Sequence, residues 1–274
     1  MRLTDRQLNR ATLARQLLLE RARLDPVAAI EALGGLQAQE PASPYLALWT
    51  RLVAFDPDDL SRALHRRELV KATLGRSTLH IVSAADDRGS VTALLAGTRS
   101  RWMQEQRGRP VERTLPELTE DALTFASVPR TNVELRDHAG TLGEPVAPDE
   151  LWRRIRRHGA FVHVPGSEPW ADGRRPVQVA ARAWLPAPEP HEDAALEHLV
   201  RTHLRAFGPA RLADITQWSG LPGRSLRRGL ERIDQLATHE DEHGRTMFDL
   251  PGAPLPDGDT PAAPRLLPMW DETL

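Results

Sequence analysis

The chain has 274 residues, 40% of them hydrophobic and 27% charged, with a net charge of −2, so it can bury a core and is not disordered throughout. No apolar run approaches the roughly 18 residues that span a bilayer, and the N-terminus lacks the pattern of a secretory signal. Without cysteine the chain forms no disulfide and has no thiolate nucleophile or thiolate zinc site, and we expect a cytoplasmic protein.

Residues 1–112 are predicted to form four short helices followed by a β segment. Three of the four helix starts combine a capping side chain with a following proline, and the first forms a capping box. The β-branched residues of 77–83 favour a strand. Short helices followed by a strand or hairpin are the plan of a winged helix. The helix starts are Thr4, Asp25, Ser43 and Asp56.

The same order of elements recurs twice along the chain. In residues 113–188, helices over 118–125, 132–138 and 148–158 precede strands over 161–164 and 177–184. A proline-rich linker at 186–190 comes next. In residues 189–256, helices over 192–207, 212–218 and 223–236 precede a hairpin of 238–239 with 246–248. We therefore predict a mainly α protein with small β wings, built as three tandem winged-helix units, with 257–274 starting a further β unit.

Basic side chains cluster in the helix that would be the recognition helix of the second unit and of the third, and around the β segment of the first. A solvated helix face is one interpretation of each cluster, and a GC-rich genome explains the bias to arginine, since Lys71 is the single lysine. Three clusters at equivalent places favour contact with DNA phosphates. The predicted DNA-binding residues are Arg66, Arg67, Lys71, Arg76, His80, Arg153, Arg156, Arg157, Arg224, Arg227 and Arg228.

Motifs of other enzyme classes are missing from the sequence. His191, Glu197, His198 and His203 lie close in sequence, but their spacing does not bring three ligands to one helical face. The chain has no nucleophile elbow, phosphate-binding glycine loop or dinucleotide fingerprint. We expect no metal and no cofactor.

The segment Leu36-Gln37-Ala38-Gln39 is bracketed by Gly34-Gly35 and Pro41. The glycines end the preceding helix, and the proline restricts the backbone of the residues around it. If the segment is extended, Gln37 and Gln39 point to the same side, whereas in a helix they diverge. Taken alone, the pattern is typical of a polar loop between helices.

The chain resembles, over essentially its whole length, the AlkZ/YcaQ family of winged-helix DNA glycosylases that unhook interstrand crosslinks. The Gln-x-Gln form resembles the AlkZ branch, known from self-resistance in azinomycin producers, whereas the YcaQ branch has aspartate at the second position. The matching segments are Gly35-Leu36-Gln37-Ala38-Gln39 with Pro41, Ser43-Pro44-Tyr45, Trp49-Thr50-Arg51-Leu52, Arg76-Ser77-Thr78-Leu79-His80, Ala206-Phe207-Gly208-Pro209-Ala210 with Asp214, Trp218-Ser219-Gly220, and Leu267-Pro268 before Asp271.

The resemblance implies three tandem winged helices around a concave DNA channel, a catalytic pair Gln37 and Gln39, and N7-alkylated guanine as substrate, either a monoadduct or a crosslink. It also implies a C-terminal β-barrel, which we expect to begin where this chain stops. Glutamine is neutral and is no general base near neutral pH, so the pair would hold a water and stabilise positive charge on the sugar.

Further expectations concern the reaction and its partners. A single lysine leaves few amines for Schiff-base chemistry, so we predict a monofunctional glycosylase. We expect it to act as a monomer on double-stranded DNA and not to associate with a membrane. A crosslinked base is tethered to the other strand, so an open groove is favoured over base flipping. Two alternatives stay open, namely a non-enzymatic DNA-binding regulator and a drug-sequestering resistance protein.

Overall fold

Four short helices open the chain at the places that the sequence predicts, although Ser43 is the first residue of its helix and does not cap it. Thr4 forms a capping box with Gln7, and the side chains of Asp25 and Asp56 accept backbone N–H groups of their first turns. The helices are α1 (Asp5–Arg15), α2 (Pro26–Leu33), α3 (Ser43–Arg51) and α4 (Pro57–His65). The computed structural model describes residues 1–74, 78–105, 113–166, 176–185 and 190–273, with backbone alone for 95–105.

Six strands form one antiparallel sheet in the order β1-β3-β2-β5-β6-β4. The sequence predicted a separate wing for the first and for the second unit. The structure joins them, because β2, which we did not predict, pairs on both edges and places Lys71 opposite His163 of β5. The strands are β1 (Leu36–Gln37), β2 (Leu69–Leu74), β3 (Thr78–Ser83), β4 (Arg130–Thr131), β5 (Phe161–His163) and β6 (Val177–Ala180).

The other helices include a long one, α5 (Ala84–Glu105), that the sequence did not predict. The predicted strand over 177–184 is wrong beyond Ala180, where a short helix begins, and the helix predicted over 223–236 ends at Glu231. The remaining elements are α6 (Leu115–Phe125), α7 (Asn132–Gly140), α8 (Pro148–His158), α9 (Ala181–Trp184), α10 (Glu192–Phe207), α11 (Leu212–Ser219), α12 (Gly223–Glu231), β7 (Ala237–Glu240) and β8 (Thr246–Asp249).

Helix α10 packs between α5 and α12 and carries the core of the C-terminal part. The approach of α12 is close, since a Cβ on Gly229 would lie 2.7 Å from the Leu196 carbonyl oxygen. Buried apolar residues gather in clusters within residues 29–81, within residues 115–180, and within residues 195–233 together with Ala93, and a further cluster lies along the central sheet. Residues 250–273 contain turns and irregular chain without helix or strand.

The prediction of a mainly helical protein with small β elements is confirmed. The finer division into three winged-helix units remains a prediction. In the described part of the chain, no helix has both the length and the apolar character that a membrane span requires.

Candidate active site

Gln37 lies on β1 directly opposite His80 of β3, so the two side chains share one face of the sheet. The chain reaches this position through a turn after α2, in which Gly35 has φ +110 and a Cβ would lie 2.9 Å from Val82 Cγ1. Only glycine fits that close approach without strain. The glycines of the segment therefore fix the place of Gln37 on the sheet.

The segment that carries the two glutamines is extended, with alternating burial. Leu36 and Ala38 are buried in the helical core, whereas Gln37 is half-buried and Gln39, at a bend after β1, is exposed. Gln39 Oε1 accepts the Leu79 N–H at 3.2 Å. The Gln37 amide makes no hydrogen bond with any residue that the structure describes, and it is free to bind a water or a substrate.

A cavity of about 260 Å³ opens beside Gln37. The cavity is lined by His80 of β3, by Trp218 of α11 and by Glu272 of the C-terminal segment. At about 30 Å³ per molecule the cavity has room for several waters. Water, the Gln37 amide and two ionisable side chains can therefore meet in one space.

His80 and Glu272 form a close pair in this cavity, and their side chains are only 15% and 17% exposed. His80 Nδ1 lies 3.1 Å from the Thr78 carbonyl oxygen, which can only accept, so Nδ1 carries a proton. His80 Nε2 lies 3.0 Å from Glu272 Oε1. The geometry of this contact is not that of a hydrogen bond, so Glu272 Oε1 has no hydrogen-bond donor among the described residues.

A buried ion pair anchors the segment that carries Glu272. Arg51 of α3 donates to both carboxylate oxygens of Asp271, at 2.8 and 2.7 Å, and neither side chain is exposed. Burial by itself raises the pKa of Asp271, but hydrogen bonds and charge from Arg51, with hydrogen bonds from Thr273, hold it below its usual range. Because Asp271 is fixed, Glu272 is held next to His80.

The aromatic wall of the cavity continues into the protein interior. Trp218 packs against His203 with ring centroids 5.0 Å apart, and His203 also contacts Phe207. Burial lowers the pKa of His203 to about 4, with a small opposing effect of Asp214. His203 is therefore neutral near pH 7 and acts as a packed aromatic ring.

The predicted DNA-binding residues of the first unit fall in different environments. Arg66 is exposed, whereas Arg67 stacks over the Trp184 ring at 3.8 Å and donates to its carbonyl oxygen. Lys71 is only 7% exposed and lies within the sheet. His80 lines the cavity, and Arg76 lies outside the described residues.

The basic residues of α8 also differ from one another. Arg153 is exposed and paired with Glu150 at 2.7 Å. Arg156 is half-buried, and burial, with the charges of Arg157 and Arg153, lowers its pKa. Arg157 is exposed and makes no ion pair within the part of the chain that the structure describes.

On α12 all three predicted arginines are exposed. Arg228 is held by Glu192 and Asp193. Arg224 and Arg227 have no acidic partner among the described residues, so their guanidinium groups are available to an anion.

Sequence reasoning missed Glu272 and the role of Trp218 as a wall of the cavity. The only signal for Glu272 was its neighbour Asp271, which belongs to a matching segment, as does Arg51. Within the ranges that the structure describes, no three His, Asp or Glu side chains gather closely enough to hold a metal ion.

Most of the chain matches known proteins. A family model described as "DNA glycosylase AlkZ-like" matches residues 30–274. An interstrand DNA cross-link repair glycosylase of Streptomyces sahachiroi is 26% identical, over 91% of this chain and 70% of that protein. The solved structure of Streptomyces sahachiroi DNA glycosylase AlkZ aligns with a TM-score of 0.75 and 22% identity, over 92% of this chain and 71% of that chain. The structural likeness shows a shared fold.

Proposed function

Because the chain belongs to the AlkZ-like DNA glycosylase family and is a DNA glycosylase, we propose that it hydrolyses the N-glycosidic bond of N7-alkylated guanine, including guanine in an interstrand crosslink. The related cross-link repair glycosylase of Streptomyces sahachiroi supports this substrate class. The observation that carries the proposal is the unpaired Gln37 amide on the wall of a cavity large enough for water.

Gln37 holds the hydrolytic water in this proposal. Its carbonyl oxygen accepts from the water, and the carbonyl dipole stabilises the positive charge that develops on the sugar as the bond breaks. Gln39 has a different task, because its carbonyl oxygen already accepts the Leu79 N–H. It fixes β1 against β3 and keeps its amide N–H groups for the substrate.

The leaving group explains why two neutral side chains suffice for the departure of the base. N7-alkylguanine is cationic, so it departs as a neutral base without a proton from the protein. Undamaged guanine is a poorer leaving group and is spared. The two glutamines thus select damaged bases by reactivity rather than by a tight pocket.

The reaction ends at an abasic site, without strand cleavage. Lys71, the single lysine, is opposite Ile81 in the β2–β3 ladder, and residues opposite each other share a face. His80 and Gln37 therefore lie on the other face. Lys71 is too buried and wrongly directed to form a Schiff base with a sugar in the cavity.

The DNA-binding surface is proposed to consist of three tandem winged-helix units that present an open groove to double-stranded DNA, as a monomer. The exposed, unpaired guanidinium groups of Arg157, Arg224 and Arg227 are suited to phosphate. An open groove accepts a crosslinked base that is tethered to the second strand.

A base-release assay tests the proposal. Purified protein is incubated with duplexes that carry one N7-methylguanine, one guanine–guanine N7 crosslink, or no lesion. We expect free N7-methylguanine, unhooked crosslink and no release from the undamaged duplex. No release from either lesion, or equal release of normal guanine, would show that the substrate class is wrong.

A further inference from the structure

The hydrolytic water must lose a proton when its oxygen bonds to the sugar, and neither glutamine can take that proton. Among the described residues that line the cavity beside Gln37, the ionisable side chains are His80 and Glu272. His80 is already a donor at Nδ1, to the Thr78 carbonyl oxygen. A neutral imidazole with its proton at Nδ1 still has a basic lone pair at Nε2, so the cavity offers two basic groups, the Glu272 carboxylate and His80 Nε2.

Glu272 keeps acceptor capacity in the folded protein. Its Oε1 is buried and makes no hydrogen bond of good geometry with the described residues, although His80 Nε2 lies 3.0 Å away. A buried acceptor without a donor is costly, and a water in the cavity would relieve it. Glu272 and Gln37 both line the cavity, which has room for such a water.

We propose that Glu272 is the general base of the reaction and that His80 positions it, an inference that rests on the glycosylase function proposed above. The water oxygen bonds to C1′ of the sugar while the C1′–N9 bond breaks. The electron pair of that bond moves into the purine ring and neutralises the cationic N7-alkylguanine. The water proton passes to the Glu272 carboxylate, which releases it to solvent after the base departs.

The carboxylate of Glu272 suits the charge that develops in the reaction. Glu272 places a carboxylate on the wall of the cavity in which positive charge would develop on the sugar, and a fixed negative group stabilises such a charge. His80, directly opposite Gln37, places its Nε2 3.0 Å from Glu272 Oε1 and so limits the direction of the carboxylate. The buried Arg51–Asp271 pair prevents the segment from moving away.

Chemical rescue tests this assignment. Single-turnover release of N7-methylguanine from duplex DNA is measured for wild type, Glu272→Ala, the isosteric Glu272→Gln and the exposed control Glu20→Ala. We expect Glu272→Ala and Glu272→Gln to lose about 10²–10⁴-fold in rate, the range of general-base catalysis, with unchanged affinity for the duplex. Glu20→Ala keeps the wild-type rate.

Sodium formate supplies a small carboxylate that fits the space left in Glu272→Ala but not in Glu272→Gln. We expect formate to raise the rate of Glu272→Ala at least tenfold, and sodium chloride of equal ionic strength to have no such effect. Wild-type rates in both glutamate variants, or a slow Glu272→Ala that formate does not accelerate, would overturn the role of Glu272. In either case an active wild type leaves the glycosylase function intact, whereas an inactive wild type contradicts that function itself.

Discussion

The buried pair of Arg51 and Asp271 offers the sharpest test of how the site is held. Asp271→Asn leaves the Arg51 charge buried with one hydrogen-bond acceptor lost and no counter-charge. Removal of one partner from such a pair costs about 3–5 kcal/mol. We expect Asp271→Asn to lower the free energy of unfolding by that amount.

The measurement is urea unfolding followed by circular dichroism, with the slope against urea checked for two-state behaviour. The double variant Arg51→Met with Asp271→Leu removes both charges, and it should recover most of the loss. The exposed pair Arg62 and Asp59 is the matched control, for which Arg62→Gln should leave stability nearly unchanged. If Asp271→Asn behaves like Arg62→Gln, the pair does not anchor the C-terminal segment.

Three other predictions concern the placement of single charges. Burial raises the pKa of Asp87 to about 7 from 3.8, although the charge of Arg88 opposes it, so stability present below pH 4 is lost as pH rises through 7. At about 1.36 kcal/mol per pKa unit, Asp87→Asn should be more stable than wild type by up to about 4 kcal/mol at pH 8 and equal to it at pH 4. If thermal melts show the same difference in stability between Asp87→Asn and wild type at pH 4 and at pH 8, this prediction is wrong. Borohydride treatment with abasic DNA should trap no covalent adduct, and a trapped adduct would contradict the inertness of Lys71. Arg157→Gln and Arg227→Gln should each weaken binding to any duplex. Each should also reduce the slope of the logarithm of the binding constant against the logarithm of the salt concentration by about the value for one phosphate contact. Arg154→Gln, where Glu150 already holds the charge, should change neither, and identical binding of all three variants would refute the phosphate contacts.

The elements that were predicted correctly are those with local signals. The caps at Thr4, Asp25 and Asp56 satisfy backbone N–H groups within their own first turn, so a few neighbouring residues determine where each helix begins. The turn at Gly35 is equally local. These signals survive in any tertiary context.

The elements that were missed depend on distant contacts. Strand β2 is buried over its first four residues and pairs on both edges, so its sequence lacks the alternation of an exposed strand. Helix α5 packs against both the sheet and α10, so no single polar face marks its period. The joining of two predicted wings into one sheet depends on the pairing of Lys71 with His163, which no local pattern shows.

The residues of the candidate site also differ in how far the sequence indicates them. Gln37 and Gln39 were found through a resemblance, since two glutamines two residues apart are a weak pattern. The structure places Gln37 on the wall of the cavity, whereas Gln39 lies at a bend after β1 with its carbonyl oxygen on the Leu79 N–H. Glu272 reaches His80 only because the chain returns from its far end through the Arg51–Asp271 pair.

The central claim is that the free amide of Gln37 holds the water that releases a damaged base. Single-turnover release of N7-methylguanine by Gln37→Ala tests it most directly, with the exposed Gln217→Ala of α11 as control. We expect the rate to fall at least about 10²-fold for Gln37→Ala, as for loss of one stabilising donor or acceptor at a reacting centre, with duplex binding and the control unchanged. A Gln37→Ala rate equal to that of Gln217→Ala would contradict it.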